Sequence, residues 1–121
     1  MKAVAVFPSK AHSAHLRDIP AANVSDIPGG RGVQVKVLKV GLCGTDREID
    51  AGDYGASPPG SEFLVLGHEN FGVVQEVGSQ VTQLATGDYV VALVRHPGSS
   101  WYDELGMPDM SIDSQYHEHG I

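Results

Sequence analysis

Three side chains of types that bind zinc in proteins occur in two short segments that contain glycine. Cys43 lies in residues 41–46, which read GLCGTD, and His68 and Glu69 directly follow Gly67. Thiolate, imidazole and carboxylate groups are all zinc ligands, and a catalytic zinc site keeps one position open for water or substrate. The neighbouring glycines allow sharp backbone turns near these side chains. Cys43, His68 and Glu69 are therefore the candidate metal site.

The residue types alone leave other interpretations open. A lone cysteine is more often a small buried apolar residue than a ligand, and a histidine beside a glutamate is often an exposed or capping pair. The chain has 6 histidines and only 1 cysteine. A single cysteine excludes an intramolecular disulfide and a cysteine-rich metal cluster. Any chemistry at Cys43 therefore needs partners that are not cysteines.

Length and composition narrow the class of protein. A chain of 121 residues with 41% hydrophobic residues is expected to form one globular domain. The formal net charge of −7 argues against nucleic-acid binding, which favours basic surfaces. The longest apolar run, residues 89–94, is far shorter than the roughly 20 residues that span a bilayer. The N-terminus lacks signal-peptide features, so we expect a cytoplasmic protein without a membrane segment.

Alternating and apolar segments separated by turn residues predict a mainly β chain. Alternation over Val33, Val35 and Val37 changes phase at Leu38, which predicts a β-bulge near Val37 and Leu38. A capping box beginning at Thr45 predicts a short helix. We expect a β-barrel or roll with one or two short helices and with strands over residues 2–7, 15–20, 33–40, 63–66, 71–77 and 89–94.

Four segments together resemble the medium-chain zinc-dependent alcohol dehydrogenase superfamily, in the same order and spacing. They are GLCGTD at 41–46, GHE at 67–69, GVV at 72–74 and GDYV at 87–90. The longer segments CGTDREI and FLVLGHE are most similar to the archaeal-type glucose dehydrogenases. The resemblance implies an N-terminal GroES-like catalytic domain followed by a Rossmann domain. No Gly-x-Gly-x-x-Gly segment occurs, and the chain ends without a stop signal. We therefore expect residues 1–121 to be the catalytic domain, incomplete at its C-terminus, without the cofactor domain.

The resemblance implies that Cys43 and His68 are ligands of one catalytic zinc ion and that Glu69 is a third. Adjacent residues of a regular strand point to opposite faces. His68 and Glu69 can therefore reach one ion only if residues 67–69 depart from strand geometry. In other branches of the family the same glutamate lies behind the ligands or exchanges with one of them, so its ligation stays open.

Other site residues are also assigned by the resemblance. Thr45 corresponds to the hydroxyl residue that contacts the substrate alcohol and starts a proton relay, with a helix cap as the alternative. Asp46 corresponds to a carboxylate that hydrogen-bonds a ligand such as His68. The alternative for Asp46 is a charge in the first turn of a helix. Glu118 matches a glutamate that holds a sugar hydroxyl, with a solvated side chain as the alternative.

The implied reaction is Lewis-acid oxidation of an alcohol, with hydride transfer to NAD or NADP held by the absent domain. An aldose such as glucose would be oxidised at its anomeric carbon to a lactone. Val94 lies where some glucose dehydrogenases carry an asparagine, which leaves glucose itself open as the substrate. We expect the chain alone to be inactive and the full-length protein to be a homo-oligomer that binds a small sugar or alcohol.

The resemblance implies that residues 97–113 lie where most relatives have a lobe with four cysteines that hold a second, structural zinc. Residues 97–113 of this chain contain no cysteine, so we expect no structural zinc. A small apolar cluster is expected there instead, formed by Trp101, Tyr102, Leu105, Met107 and Met110.

Two other functions remain. One is a zinc-free oxidoreductase of the quinone-reductase type, which a zinc measurement would distinguish. The other is a non-enzymatic GroES-like binding module. A ring-forming co-chaperone needs a mobile apolar loop, whereas residues 52–62 are short and rich in Pro and Gly.

Overall fold

A computed structural model describes residues 1–93, 99–107 and 110–112 of the chain. In these residues the chain is mainly β with two short α-helices, as predicted. The strands are β1 (Lys2–Val6), β2 (His15–Asp18), β3 (Val33–Gly41), β4 (Leu64–Val65), β5 (Glu69–Val77) and β6 (Tyr89–Val90). The helices are α1 (Gly44–Ala51) and α2 (Trp101–Glu104), and two 3-10 turns cover Val24–Asp26 and Pro28–Gly30.

One compact unit contains Ala3–Arg17 and Leu42–His68. Its sheet has the strand order β2-β1-β4, and β1 pairs antiparallel with β4. Val6, Leu64 and Leu66 from this sheet region form the buried core together with Ile49 of α1. Because Ile49 is fully buried, the core holds α1 and with it the residues just before the helix.

The other compact unit contains Asp18–Gly41 and Glu69–Ala92. Its sheet has the order β3-β5-β6, with antiparallel pairs throughout. Val37 pairs with Gly72 and Lys39 with Phe71, so Leu38 is an extra residue on β3. The predicted β-bulge at this point is confirmed. The ladder then continues to the pair of Gly41 with Glu69, where β3 ends and β5 begins.

The last predicted strand is shorter than expected. β6 ends at Val90 rather than Val94, and Val94 lies outside the described residues. The Asn70 side chain explains the early end. Its Nδ2 donates to the Ala92 carbonyl (3.1 Å), and its Oδ1 accepts from the Ala92 N–H (3.2 Å). A side chain thus binds the two backbone groups that a longer strand would have paired with another backbone.

Helix α1 begins one residue after Cys43, so the predicted capping box starting at Thr45 is wrong. Cys43 is the N-cap residue, and its Sγ accepts the Thr45 backbone N–H at 3.3 Å. The Asp46 carboxylate in return accepts the Cys43 N–H at 2.7 Å. The three-residue spacing from Cys43 to Asp46 is that of a capping box, with sulfur in place of the usual hydroxyl.

The predicted apolar cluster after residue 97 is also wrong for the residues that the structure describes. Trp101 and Tyr102 touch edge to face, but four of the five apolar side chains are about half exposed or more, among them Trp101 at 64%. Polar contacts hold this segment instead, because the Asp103 carboxylate accepts from both Ser100 and Ser111. A helix of four residues offers too little apolar surface for a core.

Helices long and apolar enough to cross a membrane are not found in the described part of the chain.

Candidate metal centre

Cys43 and His68 approach each other from two loops of the same compact unit. Cys43 follows β3 at the start of α1, and His68 lies between β4 and β5. Their Sγ and Nε2 atoms are 3.5 Å apart, and both residues are half-buried. A sulfur and an imidazole nitrogen bound tetrahedrally to one zinc ion lie about 3.6 Å apart, from bond lengths of about 2.3 and 2.1 Å. The observed separation therefore fits a shared zinc ion.

Glu69 adds a carboxylate to this pair. It directly follows His68 in the chain, is the first residue of β5 and is exposed. Gly67 has a φ of +103° and β5 begins only at Glu69, so His68 lies before the regular strand. This is the departure from strand geometry that the adjacent ligands require. A thiolate, an imidazole and a carboxylate in this arrangement form a donor set that suits zinc.

Gly41 is a site residue that sequence reasoning did not single out. It pairs with Glu69 across the β3–β5 ladder, and a Cβ added at Gly41 would collide with the Glu69 carboxylate. The carboxylate therefore lies over Gly41, in space that any other residue would fill. The sequence shows a glycine before Leu42-Cys43. It does not show which residue pairs with that glycine across the sheet.

Asp46 is buried close to the two candidate ligands, with only 3% of its surface exposed. Its Oδ2 accepts the Cys43 N–H, and its Oδ1 accepts the Gly67 N–H at 3.2 Å. The His68 Nδ1 lies 3.9 Å from Oδ2, an ion-pair distance that is longer than a hydrogen bond. Asp46 is also the third residue of α1, where a negative charge interacts favourably with the helix dipole. The position of Asp46 fits the role in the first helical turn, whereas the predicted hydrogen bond to the His68 ring is not formed at this distance.

Thr45 lies in the first turn of α1 and is half-buried. Its backbone N–H donates to the Cys43 sulfur. Because Cys43 is the cap of this helix, the Thr45 hydroxyl is not needed for capping, and the alternative role considered for it falls away.

Glu118 and Val94 lie outside the described residues. The predicted contact of Glu118 with a sugar hydroxyl therefore stays a prediction, as does the effect of Val94 on the choice of sugar.

The chain is similar in sequence to several glucose dehydrogenases. The chain is 42% identical over 123 residues to glucose 1-dehydrogenase of Methanocella arvoryzae, covering 100% of this chain and 33% of that protein. It is 44% identical over 122 residues to glucose 1-dehydrogenase 1 of Caldivirga maquilingensis, covering 100% and 32%. Among solved structures, Haloferax mediterranei glucose dehydrogenase in complex with NADP, Zn and gluconolactone matches with a TM-score of 0.79 and 40% identity, covering 100% of this chain and 33% of that chain.

The chain thus spans about a third of the length of the relatives it matches. A family of protein domains, the alcohol dehydrogenase GroES-like domain, matches residues 29–118. That match includes all of β3, α1 and β5 and both loops that carry the candidate ligands. Because it covers most of the chain, the protein belongs to the alcohol dehydrogenase GroES-like domain family.

Proposed function

We propose that this chain is the zinc- and substrate-binding part of an NAD- or NADP-dependent dehydrogenase that oxidises a sugar or a related alcohol. The observation that carries the proposal is the 3.5 Å separation of the Cys43 sulfur and the His68 imidazole, and Glu69 directly follows His68 in the chain. The membership of the family and the similarity to glucose dehydrogenases support the same reaction class.

Three side chains would hold the metal. Cys43 and His68 are ligands in this proposal, and Glu69 is the third. A bound zinc ion would supply Lewis-acid polarisation of the substrate hydroxyl. The Cys43 sulfur is held in place by the Thr45 N–H, which donates to it at 3.3 Å.

The Thr45 hydroxyl is proposed to contact the substrate. Oxidation of an alcohol removes a proton from oxygen and a hydride from carbon. In this scheme the Thr45 hydroxyl would pass the proton towards solvent, and a nicotinamide cofactor bound elsewhere in the full-length protein would accept the hydride. Thr45 is free of the capping role and is one turn or less from Cys43, which supports its assignment.

An aldose is the proposed substrate, oxidised at the anomeric carbon to the lactone. The glucose dehydrogenase of Haloferax mediterranei was solved with gluconolactone, NADP and Zn, and its match covers 100% of this chain and 33% of that chain. Glu118 is proposed to hold a hydroxyl of the sugar. The nicotinamide cofactor is proposed to bind a separate domain of the full-length protein, which we further expect to be a cytoplasmic homo-oligomer.

Metal content tests the proposal. After incubation with zinc at neutral pH and dialysis, the purified chain is expected to retain about one zinc ion, as a mononuclear site requires. The Cys43→Ala and His68→Ala variants should each lose it. His12→Asn is the matched control, because His12 is an exposed histidine in a left-handed turn that asparagine tolerates. It should retain zinc.

Thermal unfolding provides a second measurement of the same site. Zinc at 100 times its dissociation constant should stabilise the wild-type chain by about 2.7 kcal/mol. The Cys43→Ala variant should gain no such stabilisation. A wild-type chain that retains no zinc, or a Cys43→Ala variant that retains as much as the wild type, would contradict the proposal and favour a metal-free oxidoreductase.

A further inference from the structure

Strand β3 ends in a glycine, Gly41, where a strand ordinarily carries a side chain. Glycine weakens a strand, because it loses more backbone freedom on folding than other residues and has no side chain to pack. Backbone conformation does not require a glycine here, since the φ of Gly41 is not positive. A glycine inside a strand often marks a place where another group approaches closely.

The group that approaches Gly41 is the Glu69 side chain, on the paired strand β5. A Cβ added at Gly41 would lie 3.0 Å from the Glu69 Cβ and 3.3 Å from its Cδ, and it would overlap Oε2. Carbon atoms in ordinary contact are about 3.5–4.0 Å apart. All three nearest atoms belong to Glu69, so its side chain rather than backbone occupies the space above Gly41.

The bulge at Leu38 brings Gly41 opposite Glu69. Between the pairs on either side of the bulge, β3 has one more residue than β5. In a ladder paired regularly through Leu38, Val40 would lie opposite Glu69, and its branched side chain would fill the space that the carboxylate occupies. Bulges often lie next to functional sites, where they change the direction of a side chain. Here the bulge moves the residue without a side chain to the position opposite Glu69.

The pair of Gly41 with Glu69 lies next to both candidate ligands along the chain. Gly41 is two residues before Cys43, and Glu69 directly follows His68. Glu69 is exposed, and an exposed glutamate has several rotamers open to it. The place that its carboxylate takes is therefore decided by the space that neighbouring residues leave.

We propose that Gly41 is a positioning residue for Glu69. Because Gly41 has no side chain, it leaves the space in which the Glu69 carboxylate lies, and so keeps that carboxylate available to the metal ion. This inference rests on the proposed zinc site, in which Glu69 is the third ligand. Gly41→Ala would displace a flexible side chain rather than backbone, so the variant is expected to fold while its Glu69 carboxylate moves.

A double-mutant cycle on zinc binding tests this inference. The zinc dissociation constant is measured by competition with a chromogenic chelator for the wild-type chain, Gly41→Ala, Glu69→Ala and the double variant. Gly44→Ala is the matched control, because it is the same substitution close to Cys43 and an added Cβ would meet nothing within 4 Å. Circular dichroism establishes that each variant is folded before the affinities are compared.

We expect Gly41→Ala to bind zinc about 10–100-fold more weakly than the wild type, the range found when residues that support metal ligands are changed. Gly44→Ala should bind like the wild type. In the Glu69→Ala background, Gly41→Ala should change the affinity by less than about twofold, because the side chain through which it acts is gone. A purely structural effect of Gly41→Ala would weaken binding by the same factor in both backgrounds and would overturn the inference, as would wild-type affinity in Gly41→Ala.

Unfolding by urea gives a second measurement, which does not depend on zinc. Gly41→Ala should lower the urea midpoint of the wild-type chain more than that of Glu69→Gly, because Glu69→Gly removes all three atoms that the added Cβ would meet. If Gly41→Ala does not fold by itself, the double variant with Glu69→Gly should fold. A double variant that also fails to fold would overturn the inference, since the obstacle would then lie elsewhere.

The same measurements distinguish this inference from the proposed function. A wild-type chain that binds no zinc would contradict the proposed function and this inference with it. Wild-type zinc affinity in Glu69→Ala would leave Cys43 and His68 as ligands and would overturn the role of Gly41.

Discussion

At the scale of single residues, the site depends on side chains that each make more than one contact. The Cys43 sulfur caps α1 and faces His68, and its own N–H is held by Asp46. Gly67 supplies a backbone turn and a hydrogen bond at once. Because these residues are in contact with one another, the stability changes caused by substitutions here should not be additive.

Gly67→Ala is predicted to weaken both folding and zinc binding. A side chain at a φ of +103° costs about 1–3 kcal/mol, and relief of that strain would move His68 away from Cys43. Urea unfolding and the zinc dissociation constant measure the two effects. Gly60→Ala is the matched control, since Gly60 has a φ of +81° and an added Cβ would meet open space. It should lose stability but keep its zinc affinity; equal affinities in both variants would be evidence against the role of Gly67.

At the scale of elements, three of them begin or end beside the candidate ligands. β3 ends at Gly41, α1 begins at Gly44 and β5 begins at Glu69. The bulge at Leu38 changes the face alternation of β3 before it reaches the pair of Gly41 with Glu69. Side chains at element ends escape the regular alternation of a strand, which is what adjacent ligands such as His68 and Glu69 require.

The Asn70 side chain connects β5 to the segment after β6. Asn70→Ala removes both side-chain bonds to Ala92, at about 0.5–1.5 kcal/mol for each. We expect a lower urea midpoint and faster amide exchange at Ala92. Gln75→Ala, an exposed position on the same strand, should change stability by less than about 0.5 kcal/mol. Slow exchange at Ala92 in Asn70→Ala would show that another contact orders this segment.

At the scale of the whole molecule, the chain corresponds to about a third of the relatives it matches. The family match covers residues 29–118, which include both segments that carry the candidate ligands. Hydride transfer needs a cofactor held against the substrate carbon. The proposed reaction therefore requires the full-length protein, whereas the proposed zinc binding requires only the side chains present in this chain.

The purified chain is accordingly predicted to bind zinc without oxidising aldoses. Incubation of the zinc-loaded chain with glucose and either NAD or NADP should produce no reduced nicotinamide, as followed by absorbance. A full-length protein carrying this chain should produce it and should lose at least 100-fold in rate with Cys43→Ala, if zinc supplies the main stabilisation of developing charge. Zinc-dependent turnover by the chain alone would contradict the need for a second domain.

The sequence by itself determined the mainly β character and the bulge at Leu38, which follow from the alternation of apolar residues, and it contained the four segments whose resemblance indicated the family. Only the tertiary structure decided that Cys43 rather than Thr45 caps α1 and that Asn70 ends β6. It also decided that Asp46 bonds Gly67. For the contacts of Asn70 and Asp46 the physical reason is distance along the chain, because residues 22 or 21 positions apart meet only after folding has closed the segment between them.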